Sequence, residues 1–221
     1  EPSGLHIAPG GSAAFTVRAL RFDGFDKRIK LEVKNLPPGF EMSEAVIPEK
    51  SDTTRFTITA PKEISKKAIS PEISGMAIID GRPVTRPAVP VDDTMQAFLY
   101  RHLVPAQELV LAPVEQPAAI IFEASIPKSG VIELPLGEEV KIKLTGRFRG
   151  ITGAKLKLDN APEGFTKVKG WIGRKRKKEK TAEGKPKYEK NMAWGEITLK
   201  AEEPLAAGLK TSLVIAAEVK K

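Results

Sequence analysis

A ten-residue stretch occurs twice in this chain. Leu31-Glu-Val-Lys-Asn-Leu-Pro-Pro-Gly-Phe40 returns as Leu156-Lys-Leu-Asp-Asn-Ala-Pro-Glu-Gly-Phe165. Each copy alternates apolar and polar residues, then reads Asn and Pro-x-Gly-Phe. Alternation with period two is the pattern of a half-buried strand. Proline fixes φ and removes a ladder donor, and glycine permits the turn, so the strand must stop there. A chain that uses one strand–turn unit twice is a tandem of two modules rather than one enzyme-like domain. With 221 residues in all, each module has about a hundred, enough to bury a core without staples. The absence of cysteine removes disulfides, thiol nucleophiles and Cys-based zinc sites from consideration.

The first module reads as short strands separated by turn residues: 5–7, 13–19, 29–33, 42–47, 54–60, 72–79 and 84–89. Phe15, Val17 and Ala19 share one face, Thr16 and Arg18 the other. In the second module 108–112 and 118–124 precede a strand at 131–134, and Val140, Ile142 and Leu144 repeat the Phe15 pattern. Arg21-Phe-Asp-Gly24 has a counterpart in Arg147-Phe-Arg-Gly150 if a one-residue bulge is allowed. Ile197-Thr-Leu199 matches Phe56-Thr-Ile58, and 212–219 matches 74–79. Strands at this spacing, with almost no helical period, predict an all-β chain of two consecutive immunoglobulin-like antiparallel β-sandwich domains. The expected boundaries are 1–91 for the first sandwich, 92–106 for a structured linker and 107–221 for the second.

The linker is expected to hold a short helix. Asp92 or Asp93 would cap it, Met95, Phe98, Leu99 and Leu103 would give it an apolar side, and Pro105 would end it. Such a helix would pack against one or both modules.

Charge is concentrated in one place. The chain carries a net +8, and residues 167–190 alone hold 11 Lys/Arg against 3 Asp/Glu, so the remainder is balanced. The segment 173–190 widens the second module relative to the first and reads as a loop insertion. With little to bury, it is expected to form a mobile hairpin tip. Trp171 and Trp194 flank it and are placed to make a cross-strand aromatic pair at its base. Arg174, Lys175, Arg176, Lys177, Lys178, Lys180, Lys185 and Lys187 are the candidate polyanion-binding residues, for a nucleic acid, an anionic glycan or an anionic membrane surface. Tyr188 is the one aromatic inside the run, too few for a single-strand stacking platform. No motif for sequence-specific nucleic-acid reading is present.

Catalytic and metal-binding patterns do not emerge. His6 and His102 lie in no ligand spacing, and there is no Gly-x-Ser-x-Gly elbow or phosphate-cradling glycine loop. Asp23-Gly-Phe-Asp26 and Asp92-Asp93 are short acidic runs that suggest calcium, but they read better as a turn and a helix cap. Paired carboxylates for glycoside hydrolysis would need a deep cleft that such sandwiches rarely offer. No cofactor, metal site or enzymatic activity is therefore expected. Apolar runs such as Leu213–Ala217 are far shorter than a membrane span, so no transmembrane segment is expected. The opening Glu-Pro-Ser reads as the start of a processed or cloned fragment, from which targeting information has been removed.

The combination of Arg21-Phe-Asp-Gly-Phe25, Leu36-Pro-Pro-Gly-Phe40, Met95-Gln-Ala-Phe98 and Arg101-His-Leu-Val-Pro-Ala-Gln107 resembles paired immunoglobulin-like modules near the C-termini of large exported bacterial proteins. Those modules are often found alongside pre-peptidase C-terminal domains. The resemblance implies a periplasmic, cell-surface or extracellular location and a non-enzymatic spacer, assembly or adhesion role. Its partners would be other domains of the same polypeptide or other proteins. Two alternatives stay open: a polyanion- or glycan-binding module acting through 173–190, and accessory domains of a secreted enzyme whose catalytic part lies elsewhere.

Overall fold

A computed structural model describes residues 2–96, 100–158, 161, 164–181, 183, 184, 186–203, 205 and 213–218. Among them there is no helix. The chain divides into two compact units, the first running to Pro117 and the second beginning at Ala118.

The first unit contains β1 (Gly4–Ile7), β2 (Ser12–Arg18), β3 (Ile29–Lys34), β4 (Glu41–Met42), β5 (Val46–Ile47), β6 (Thr53–Thr59), β7 (Glu72–Ile79), β8 (Arg82–Pro87), β9 (Val91–Gln96), β10 (Tyr100–Pro105) and β11 (Val110–Pro113). One sheet has the order β2-β6-β4 and another the order β5-β3-β7-β8. Their inner faces share one core. Phe15, Phe56 and Ile58 come from the first sheet, Leu31 and Ile47 from the second, and Ile7 and Leu111 from the parallel pair β1-β11. Phe15 and Phe56 are directly opposed across β2 and β6, with stacked rings 5.4 Å apart. This is a sandwich-like arrangement, built by the period-two alternation of β2, β3 and β6.

Two sequence expectations change in this unit. Residues 108–112, expected to open the second module, belong to the first, because β11 pairs with β1 and Leu111 also bridges Ile69. Leu111 is fully buried there, so the core of the first unit claims it. The helix expected within 92–106 is not formed either. β9 and β10 make an antiparallel ladder from Val91↔Pro105 to Gln96↔Tyr100. The backbone groups a helix would pair internally are spent on that ladder, and Asp92, one of the two expected caps, is engaged elsewhere. Its carboxylate accepts hydrogen bonds from the Ser3 backbone N (2.9 Å) and Oγ (2.7 Å), and so it caps nothing. These bonds, the backbone one foremost, hold its pKa below the usual carboxylate value. Met95 and Leu103, expected to pack, are exposed. Phe98 and Leu99 lie outside the described residues.

The Arg21 side chain fixes the loop between β2 and β3. Its Nε and Nη2 donate to Ser51 O (3.1 and 2.7 Å), Nη2 to Pro48 O (3.0 Å) and Nη1 to Lys27 O (2.8 Å). The guanidinium also meets Asp52 Oδ1 at 3.2 Å and lies over the Phe25 ring. Within the loop Phe25 N donates to Phe22 O around Asp23 and Gly24, both at positive φ. That is the requirement of a type I′ turn, which accounts for Asp-Gly at these positions. Arg21→Lys keeps the charge but loses the planar fork. It should cost about 2 kcal/mol in urea unfolding, whereas Arg147→Lys, at an exposed strand position, should stay within about 0.5 kcal/mol.

The second unit contains β12 (Ile120–Ala124), β13 (Glu139–Phe148), β14 (Gly153–Leu158), β15 (Phe165–Lys180), β16 (Pro186–Ala201) and β17 (Ile215–Glu218). They form one antiparallel sheet in the order β12-β13-β16-β15-β14-β17. Residues 131–134, expected as a strand, form none, although Ile132 and Leu134 still pack on the core. Ile142, Leu144, Leu156, Ile172, Ile197 and Leu199 line the inner face, each 5 % exposed or less. A Cβ on Gly195 would lie 2.3 Å from Trp171 O, and one on Gly146 would lie 2.2 Å from Ile121 O. Both positions face inward, beside Ile172 and Phe122, so a side chain there would force neighbouring strands apart.

Gly39 and Gly164, the same position in the two copies of the repeat, both adopt positive φ (84° and 87°). Each stands in the turn that follows its strand, β3 or β14.

Candidate anion-binding ribbon

The basic segment, expected as a loop insertion with a hairpin tip, is strand-paired over much of its length. It is the outer half of the β15-β16 hairpin, the longest strands of the chain at 16 residues each. The inner half is flanked by β13, as far as Arg147↔Met192, and by β14, as far as Gly153↔Gly173. Past those points β15 and β16 pair only with each other, at Arg176↔Tyr188 and Lys180↔Pro186. The segment therefore leaves the sheet as a two-stranded ribbon. Backbone pairing supplies the order that side-chain burial does not.

The ribbon is not a regular ladder. Between Arg174↔Ala193 and Arg176↔Tyr188 the register slips, with more residues on β16 than on β15. Asn191, within the slip, takes positive φ (60°), which Asn tolerates better than most residues. A bulge of this kind increases twist and re-aims the strand beyond it.

Arg174, Lys175, Arg176, Lys177, Lys178 and Lys180 all stand on β15, and Lys187 stands on β16. The side chains of Arg176, Lys178 and Lys180, and all of Lys185, lie outside the described residues. Arg174, Lys177 and Lys187 are exposed. Lys175 Nζ pairs with Glu189 Oε1 at 3.0 Å across the ribbon. One of its basic groups is thus partly satisfied internally, while the ribbon's residues 174–190 keep an excess of 9 Lys/Arg over 3 Asp/Glu. Strand pairing holds these charges on a short, projecting element, where their fields add rather than being spread over a coil.

At the base of the ribbon the two tryptophans meet as expected. Trp171 is opposed to Glu196 and Trp194 to Gly173, so the indoles are diagonal neighbours, with centroids 5.0 Å apart in an edge-to-face arrangement. Such a pair contributes about 0.5–1.5 kcal/mol beyond area burial.

The other candidates are used structurally. Asp23 occupies the β2–β3 turn, and Asp26 Oδ1 lies 3.4 Å from Lys27 Nζ. Among the described residues no group of three or more His, Asp or Glu is placed to hold a metal. Among them, too, no helix is long and apolar enough to cross a membrane. An open cavity of about 390 Å³ in the first unit lies over Phe40, Pro61 and Ile64, beside the first copy of the repeat.

No protein-family model and no curated protein matches this chain. Among solved structures, a protein of unknown function from Porphyromonas gingivalis W83 is similar at 12 % identity, over 90 % of this chain and 81 % of that one, with a TM-score of 0.28. At that score and identity the likeness carries no inference to this chain.

Proposed function

We propose that this chain is a non-enzymatic interaction region of a larger exported bacterial protein, built from two immunoglobulin-like modules, and that the basic ribbon is its contact element for an acidic polymer. The observation that carries the reading is the ribbon itself. A strand-paired arm whose residues 174–190 hold 9 Lys/Arg against 3 Asp/Glu has no core to build, so packing does not account for its composition. The Ig-like assignment is supported by the two-sheet core of the first unit and by the shared strand–turn position of Gly39 and Gly164. The exported location rests on the resemblance of the Arg21–Phe25, Leu36–Phe40 and 95–107 segments to such modules.

The test is retention on an immobilised heparin column. The parent chain should bind at low salt, and its retention should fall steeply with ionic strength as counterions are released. With Arg174, Lys175, Arg176, Lys177 and Lys178 all changed to Gln, elution is expected at roughly half the salt concentration. Unchanged elution would remove the ribbon from the reading.

A further inference from the structure

The outer face of the second unit's sheet has its own pattern, distinct from the ribbon. Directly opposed residues share a sheet face, so the register lays it out in rows. One row reads Lys143, Glu196, Trp171, Lys155 across β13, β16, β15 and β14. The row on one side reads Lys141, Thr198, Lys169, and the row on the other reads Thr145, Trp194, Gly173, Gly153. Lys141, Lys143, Lys155, Lys157 and Lys169 are all exposed, and Trp194 is 41 % exposed. Lys200 is on this face too, but its Nζ is held by Glu202 at 2.7 Å. That bond raises the Lys200 pKa and lowers that of Glu202. Apart from Glu196, the acids here, Glu123, Glu139 and Glu218, stand on the edge strands or at a strand end.

We propose that this face binds an acidic polysaccharide, with a sugar ring against the Trp194–Trp171 pair and its carboxylate or sulfate groups held by the surrounding lysines. A pyranose ring presents an apolar C–H face that fits an exposed indole, and buries it without a polar penalty. Gly173, opposite Trp194, makes room for the Trp171 ring, which would lie 3.5 Å from a Cβ there. With strands about 4.8 Å apart, Lys143 and Lys155 flank the tryptophans at about 14 Å separation, a span of a few sugar units. Lysine suits spaced single anions, since its ammonium acts as a point charge.

Two features favour a glycan over a nucleic acid. The edge-to-face pair is a single aromatic contact, whereas a single-stranded nucleic acid is held by successive stacked bases. Glu196, in the middle of the row, is an acceptor that sugar hydroxyls can satisfy. The inference stands on residues the ribbon reading does not use, so either can fail alone.

The two tryptophans of this chain both lie on this face, which makes intrinsic fluorescence a local reporter. The full chain is titrated with oligogalacturonate, hyaluronan, alginate and heparin oligosaccharides, with dextran and a dT12 oligonucleotide as comparators. A saturable emission change with at least one acidic glycan, and none with dextran, is expected. By calorimetry, Trp194→Ala should weaken that binding about tenfold, and Lys143→Gln/Lys155→Gln/Lys169→Gln should do the same and flatten its salt dependence. The Arg174–Lys178 Gln variant should retain the emission change. No emission change with any of the four acidic glycans would overturn the proposal. So would tighter binding of dT12 than of every glycan, or undiminished affinity in both the Trp194 and the lysine variants. The lysines are surface residues, so the triple variant reports even if Trp194→Ala unfolds.

Discussion

Gly195→Ala should destabilise the second unit by about 3 kcal/mol or more, beyond the ordinary overpacking range because the obstacle is backbone. The added methyl would lie 2.3 Å from Trp171 O and 2.7 Å from Ile172 Cα. Neither atom can rotate away. Relief requires β15 and β16 to separate, and these strands form the centre of the six-stranded sheet. Separation would disturb the packing of Ile172, Ile197 and Leu199. Trp171 lies against Gly195 in this seam, so urea unfolding followed by tryptophan emission reads the effect directly. Gly4→Ala, in the first unit, is the control and is followed by far-UV circular dichroism: open space surrounds its Cβ position and φ is not positive, so the change should be within about 0.5 kcal/mol. If Gly195→Ala unfolds at the parent's urea midpoint, the sheet does not need its glycine seam.

The first unit should lose about 3–5 kcal/mol on Phe56→Ala, the usual range for removing a buried aromatic ring. Phe56 is 1 % exposed, stacks on Phe15, and sits among Leu31, Ile47 and Ile58, where both sheets meet. The cavity opens in the middle of the sandwich, where backbone ladders on both sides prevent collapse. Phe56→Leu retains much of the volume and should cost less than half as much. Far-UV circular dichroism against denaturant measures both. Equal losses for Ala and Leu would mean that ring stacking, not filled volume, holds the two sheets together.

The functional proposals depend on the same framework. The ribbon exists because β15 and β16 outrun their neighbours. The lysine rows exist because strand order and register bring residues of β13, β16, β15 and β14 into line on the face away from the core. A change that parted β15 from β16 would move Lys143 and Lys155 relative to the tryptophans without altering any residue on that face. Binding and stability should therefore fall together in Gly195→Ala, but separately in the lysine variants.

The sequence by itself determined most of the strands. Their alternation and their Pro/Gly stops are local, so β2, β3, β6, β7 and β13 lie close to where period two places them. The repeat likewise located two equivalent turns, and the basic run and its flanking tryptophans were legible from composition and spacing. Partner choice was not. β11 looks like an opening strand of the second module, but a parallel pairing with β1 places it in the first. Met95, Phe98 and Leu103 suggest a helix, yet the segment folds back on itself as the β9–β10 ladder, and Ser3, far away in the chain, takes the carboxylate of Asp92, one of the two expected caps. The charged run looks like a solvated loop because side chains alone do not reveal a ladder made by backbone groups. The alternating lysines of β13 and β14 were visible as half of a strand pattern. That they gather around two tryptophans depended on strand order, which only the tertiary structure decided. Periodicity is written in neighbouring residues, whereas pairing is settled by competition among distant segments for the same core and the same hydrogen bonds.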